Sequence, residues 1–232
     1  MASSIDRITI KGYKSIRSLE DFELRPINIL IGANGAGKSN FVSFFSLLRE
    51  LVEGRLAVAV NTAGGADRQL YLGPKVTQLI HADLNFGCNG YEFYLKPTVD
   101  GRLIFVDERI KFSGAVNREK VDRSIGQGHS ESKLQEDLKP KNTTPGISDY
   151  VYKASSGWIV YHFHDTSETS PMRRSWSKRD NERLRFDGGN LAAFLWGLRS
   201  NSRRSFERIR DTVRLVAPFF VDFSLRPQKS NG

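Results

Sequence analysis

Residues 29–40 read ILIGANGAGKSN. From Gly32 to Ser39 the stretch satisfies G-x-x-x-x-G-K-[ST] without a gap, a pattern with a known mechanism. Gly32, Gly35 and Gly37 permit backbone angles that a side chain forbids. The N–H groups along Gly32-Ala33-Asn34-Gly35-Ala36-Gly37 then face one concavity and wrap a phosphate. Lys38 reaches the β- and γ-phosphates as a point charge, and Ser39 places a hydroxyl where Mg²⁺ would sit. A helix N-terminus behind the loop favours the same anion. Phosphate contact alone does not choose between ATP and GTP.

The flanks extend this reading. Ile27 to Ile31 is a short apolar run, which predicts a buried strand. After Ser39, Phe41, Phe44, Phe45, Leu48 and Leu51-Val52 recur every three to four residues, as one face of a helix ending near Gly54. Upstream, residues 5–11 (IDRITIK) alternate like a half-buried strand. Gly12 to Ile16 turns into a second segment, and Phe22-Glu23-Leu24 leads through Pro26 to the P-loop. Downstream, 61–74 is turn-rich, and 76–86, 90–97 and 102–111 read as an antiparallel meander. Residues 114–148 read as a long polar loop, Trp158 to Phe163 as a strand, 190–199 and 202–216 as helices, and 219–225 as a final strand. The expected organisation is one partial domain. Residues 1–60 carry the first strands, P-loop and helix, 61–188 a β-meander with polar loops, and 189–232 helices and a last strand.

Composition narrows the class. With 39% hydrophobic and 26% charged residues in 232, the chain can bury a core as a soluble protein does. No run of about 18 apolar residues is present, so no membrane partner is expected. MASSIDRITI lacks the pattern of a secretion signal. The single cysteine, Cys88, excludes an internal disulfide and fits a cytoplasmic setting. The formal net charge of +9 suits a polyanionic partner such as DNA. The excess concentrates in 171–214, which hold twelve arginines and lysines from Arg173 to Arg214. A solvated basic face, or a surface that pairs with an acidic partner half, also accounts for that run, because a charge run alone is non-specific.

IKGYKSIRSLEDFEL (10–24) and INILIGANGAGKSNF (27–41) together resemble the N-terminus of RecF/SMC-like ABC-class ATPases, including bacterial predicted ATPases of the AAA family. The resemblance continues through GGADRQLYLGP, VYHFHDTS, DGGNLAAFLWGLR and VRLVAPFFVDFSLRP, to about residue 227. It implies an α/β P-loop NTPase fold: the N-terminal lobe of an ABC-type head, with an antiparallel β-subdomain and C-terminal helices. It also implies ATP and Mg²⁺ as cofactors, and two heads that close over nucleotide. Gly32 to Asn40 take the phosphate-binding role by that likeness, with Ser39 on Mg²⁺. Lys14 and Ser15 match a basic-plus-serine pair near the nucleotide. The absence of an N-K-x-D motif also favours ATP over GTP.

Beyond the P-loop the chain departs from the family. An ABC-type site requires an LSxG signature loop, an apolar strand ending in Asp-Glu, and a switch histidine, and none is found in its expected place. Leu103-Ile104-Phe105-Val106-Asp107-Glu108 spells an apolar run and Asp-Glu, but with no signature loop before it. It reads as a meander strand. His162 and His164 would share one strand face, too few ligands for a metal centre. His164 and Asp165, after the expected strand 158–163, are candidates for sensing the γ-phosphate, with Gln127 as a rival. The core sheet is expected to be incomplete, its remaining strands supplied by self-association or by a second polypeptide.

Three functions compete. One is an ATPase head coupling MgATP to dimerisation and DNA-related work. Another is a non-hydrolysing nucleotide sensor or regulatory subunit that needs a partner for the catalytic half. The third, a nucleotide kinase or GTPase sharing only the P-loop, fits the N-terminal strand pair poorly.

Overall fold

The computed structural model describes residues 5–114, 120–140, 143–161, 163 and 167–226. Two compact units divide the chain, 1–158 and 159–232. The first two strands belong to the same sheet as the meander.

In the first unit β1 (Arg7–Tyr13) and β2 (Ile16–Glu23) form a hairpin, followed by helices α1 (Lys38–Val52) and α2 (Leu56–Thr62). Strands β3 (Ile80–Phe86), β4 (Asn89–Pro97), β5 (Leu103–Phe112) and β6 (Val121–Gly126) then lead to α3 (Ile147–Ser156). The six strands make one sheet in the order β2-β1-β3-β4-β5-β6, with every pairing antiparallel. The alternation that predicts the meander is realised: Ile80, Ala82, Leu84 and Phe86 of β3 are buried, while His81, Asp83 and Asn85 between them are half-buried. That apolar face joins Phe44, Leu47, Leu48 and Leu51 of α1 and Val151 of α3 in one core. A mixed α/β fold with an antiparallel sheet and five α-helices is therefore established among the described residues.

Several expectations are corrected. Ile27 to Ile31 form no strand. Ile27, Ile29 and Ile31 are 82%, 78% and 91% exposed, because no described neighbour offers them a ladder or an apolar cover. The 114–148 region is not one loop. It contains β6, and its later part is clamped: the Gln135 side chain donates to Val52 O at 3.0 Å, and Glu131 accepts from the Leu56 and Ala57 amides at 2.6 and 2.9 Å, capping α2. The α3 helix was not expected. Its sequence is only weakly apolar, and it forms by burying Val151 and Ala154 against the sheet.

The second unit holds α4 (Leu191–Asn201) and α5 (Arg203–Val216), both close to the helices the periodicity predicts. The strands expected at 158–163 and 219–225 are not formed by the described residues there. The chain after α5 instead packs by side chains, Phe223 edge-on to Phe206 and Phe220. No helix among the described residues is long and apolar enough to cross a membrane.

Candidate phosphate-binding site

The loop Gly32 to Ser39 is built from three local decisions. Gly35 (φ 85°) and Gly37 (φ 89°) occupy the left-handed region, where glycine alone is unstrained. The Ala36 amide donates to Ala33 O at 3.2 Å, which closes the turn between them. Gly37 then caps α1, and the first helical bond is Phe41 N–H to Gly37 O at 2.9 Å. The amides of Lys38, Ser39 and Asn40 precede that bond and have no acceptor one turn back. They lie at the positive end of a 15-residue helix with no acidic residue in its first turn.

Lys38 folds back over the loop, its ammonium donating to Gly32 O at 2.6 Å and Ala33 O at 2.8 Å. An ammonium has three donors, so one remains for an outside acceptor. Gly32 to Ala36 and Ser39 are exposed, and Gly37, Lys38 and Asn40 half-buried. The whole candidate loop is thus reachable from solvent.

The β1–β2 hairpin closes one side. Its two-residue tip is Lys14-Ser15, with Tyr13 paired to Ile16. Ser15 Oγ accepts from Asn40 Nδ2 at 2.8 Å. Lys14 Nζ donates to Ser43 Oγ at 3.0 Å, and Ser43 donates its own proton to Asn40 O at 2.9 Å. Tyr13 OH, 3.0 Å from Ser43 Oγ, must then be the donor in that contact. Burial lowers the Lys14 pKa. Burial also pushes the Tyr13 hydroxyl up to about 12. Lys14 has φ 46°, a left-handed conformation that costs a non-glycine residue of order 1 kcal/mol.

The structure thus brings Lys14 and Ser15 together with Gly37 to Asn40. Tyr13 and Ser43 belong to the same cluster and were not singled out by sequence. Ser43 stands one turn beyond Ser39 on α1, but Ser46, Arg49 and Glu50 on the same helix make a polar residue there no distinctive signal. His164 and Asp165 lie outside the described residues. Gln127 is engaged elsewhere, its amide 3.4 Å from Asp107 Oδ1 on β5.

Asp107 and Glu108 sit in β5 with structural partners. Asp107 is bound by Arg109 at 3.0 Å and Ser124 at 2.6 Å. Glu108 has no exposure. One of its oxygens accepts from Tyr91 OH and Ser132 Oγ, both at 2.5 Å. The other accepts from His129 Nε2 at 2.8 Å and the Lys133 amide at 2.9 Å.

The donor set fits a magnesium-nucleotide. Mg²⁺ takes most of its ligands from phosphate and water, so the Ser39 hydroxyl would suffice as a protein ligand, and the loop amides and Lys38 would be available to the phosphates. No cluster of three or more His, Cys, Asp or Glu among the described residues could hold a metal independently. No family model matches the chain, and no curated protein matches it.

Proposed function

We propose that this chain binds MgATP on Gly32 to Asn40, as the N-terminal lobe of a RecF/SMC-like ABC-class ATPase head with a P-loop NTPase fold. The observation that carries the proposal is local: two left-handed glycines, a helix start with no side-chain cap bond, Lys38 over the loop, and the Lys14-Ser15 tip against Asn40 and Ser43. In this reading Lys38 and the amides hold the β- and γ-phosphates, Ser39 orients Mg²⁺, and Lys14 adds a second positive charge. Bound MgATP supplies a transferable γ-phosphoryl group.

P-loops ordinarily sit on parallel sheets, whereas this sheet is antiparallel. The proposal therefore assigns β1–β6 to the β-subdomain of such a head. The exposed run Ile27 to Ile31 becomes a strand awaiting a partner sheet, from a second copy or a second polypeptide. DNA is the proposed polyanionic partner of the basic segment 171–214, and the cytoplasm the proposed compartment.

A second reading, a nucleotide sensor that does not hydrolyse, is favoured by the employment of Asp107 and Glu108 as structural groups in β5. Titration of fluorescent ATP with Mg²⁺, alongside phosphate release, tests both readings. Binding that Lys38→Ala removes, without turnover, supports the sensor. The same binding with turnover supports the ATPase. Binding insensitive to Lys38→Ala defeats both.

A further inference from the structure

We propose that a cleft beside the β1–β2 hairpin receives the ribose and base of the nucleotide whose phosphates lie on the P-loop. This rests on the phosphate-binding reading above. The cleft has a volume of about 600 Å³, within the range of small-molecule sites. Gly12 and Arg17 of the hairpin form one wall, and Tyr71, Leu72, Val76 and Leu79 the other.

The second wall is fixed in place. The Tyr71 amide donates to Gly12 O at 2.9 Å, and Thr77 Oγ1 donates to Tyr71 O at 2.6 Å. Leu79 O packs so closely on Gly12 that a Cβ there would collide with it. Against this support, two apolar side chains of the wall are left facing solvent: Leu72 is 69% and Val76 61% exposed. Leu72 also holds φ 55°, which is strained for a bulky residue. Strain of this kind persists where the surroundings over-determine it, often at ligand sites.

The chemistry suits a nucleoside with phosphate at one end. Leu72 and Val76 offer a flat ring an apolar surface. Arg17 has no acidic partner among the described residues, whereas Lys11, also at the cleft, pairs with Glu20 at 2.9 Å. The lining contains no carboxylate. The same hairpin carries the cleft and touches the P-loop: Ser15 on Asn40 is two residues from Arg17 and three from Gly12. Chain geometry limits those separations to about 7 and about 10 Å.

The test compares ATP with inorganic tripolyphosphate on the full chain. Leu72→Gly relieves the left-handed strain at φ 55° and should hold or raise the unfolding midpoint, and Val76→Ser alters an exposed side chain and should leave it near the wild-type value. Each is expected to weaken ATP binding about tenfold, the scale of losing one well-packed apolar contact, with tripolyphosphate affinity unchanged. A photoreactive 8-azido-ATP should label the peptide spanning Leu70 to Leu79. Equal effects on ATP and tripolyphosphate, no effect on either, or labelling elsewhere would overturn the cleft assignment while leaving the P-loop reading intact. Tripolyphosphate binding that survives Lys38→Ala would overturn both.

Discussion

The hydroxyl of Ser15 lies 2.7 Å from where a Cβ on Gly37 would stand. The hairpin tip and the loop end are therefore matched surfaces, and Gly37 is doubly required, by that contact and by its φ of 89°. Gly37→Ala should lower stability by about 1 kcal/mol or more, the usual penalty for a side chain in the left-handed region, and should weaken nucleotide binding. Adding Ser15→Gly removes the steric part together with the hydrogen bond from Asn40 Nδ2, so the double variant should regain at most part of the unfolding midpoint. Thermal unfolding and ATP titration measure the two effects. Full recovery would mean that φ is of no consequence here.

Lys14 gives the opposite combination. It sits at φ 46° with its ammonium half-buried over Ser43, so its conformation is costly while its charge lies on the first turns of α1, beside the helix start that carries the candidate site. Lys14→Gly should raise stability by about 1 kcal/mol through relief of the backbone, yet weaken ATP. Lys14→Ala, which keeps the strain and loses the charge, should weaken ATP without the stability gain. Unchanged affinity in both would remove Lys14 from the site.

The parts legible in sequence were those whose determinants are local. The alternation of β3, the spacing along α1 and the turn glycines Gly35 and Gly37 each encode their local structure within a few residues. Ile27 to Ile31 misled because an apolar run states only that a strand wants a partner, and no described segment provides one. The DGGN segment shows a different limit. Asn190 is fully buried, accepts from the Arg185 amide at 2.8 Å, and donates to Asp180 O and Arg183 O at 2.9 and 2.8 Å. Gly189 lets Trp176 approach to where a Cβ would be 2.7 Å from its ring. Those residues clasp a loop, a role that needs contacts distant in sequence and so escapes any reading of spacing. Tyr13 and Ser43 escaped for the same reason, meeting across 30 residues.

Acid and base limits of stability should follow from the outer face of the sheet. Burial raises the Glu92 pKa, but hydrogen bonds from Lys111, Tyr94 and His81 outweigh it and leave the carboxyl below its ordinary 4.5. Its contribution is complete above that value and is lost as pH falls through the lowered folded one. For Lys111 burial acts downward, but the bonds to Glu92 and Asp83 prevail and leave it above its ordinary 10.5. Its contribution is complete below that ordinary value and is lost as pH rises through the raised one. Unfolding midpoints measured across pH should therefore fall at both ends, and Glu92→Gln should flatten the acid limb. An unaltered acid limb would assign that stability to other carboxylates.

Glu108 separates a structural role from a catalytic one. It is fully buried, and its two oxygens collect Tyr91, Ser132, His129 and the Lys133 amide. Glu108→Ala strands four donors and should cost about 3–5 kcal/mol, the scale for breaking a buried charged network. Glu108→Gln keeps the volume but turns an NH₂ toward a pair of donors, so a loss of about 1–3 kcal/mol is expected. Neither change touches the P-loop cluster. At a temperature where Glu108→Gln remains folded, ATP affinity should equal that of wild type, and any phosphate release should be unchanged per folded molecule. Turnover abolished with stability intact would instead make Glu108 the water-positioning carboxylate. The antiparallel strand β5 would then be the catalytic strand of an unusual site, and the assignment of this sheet to a β-subdomain would fall with it.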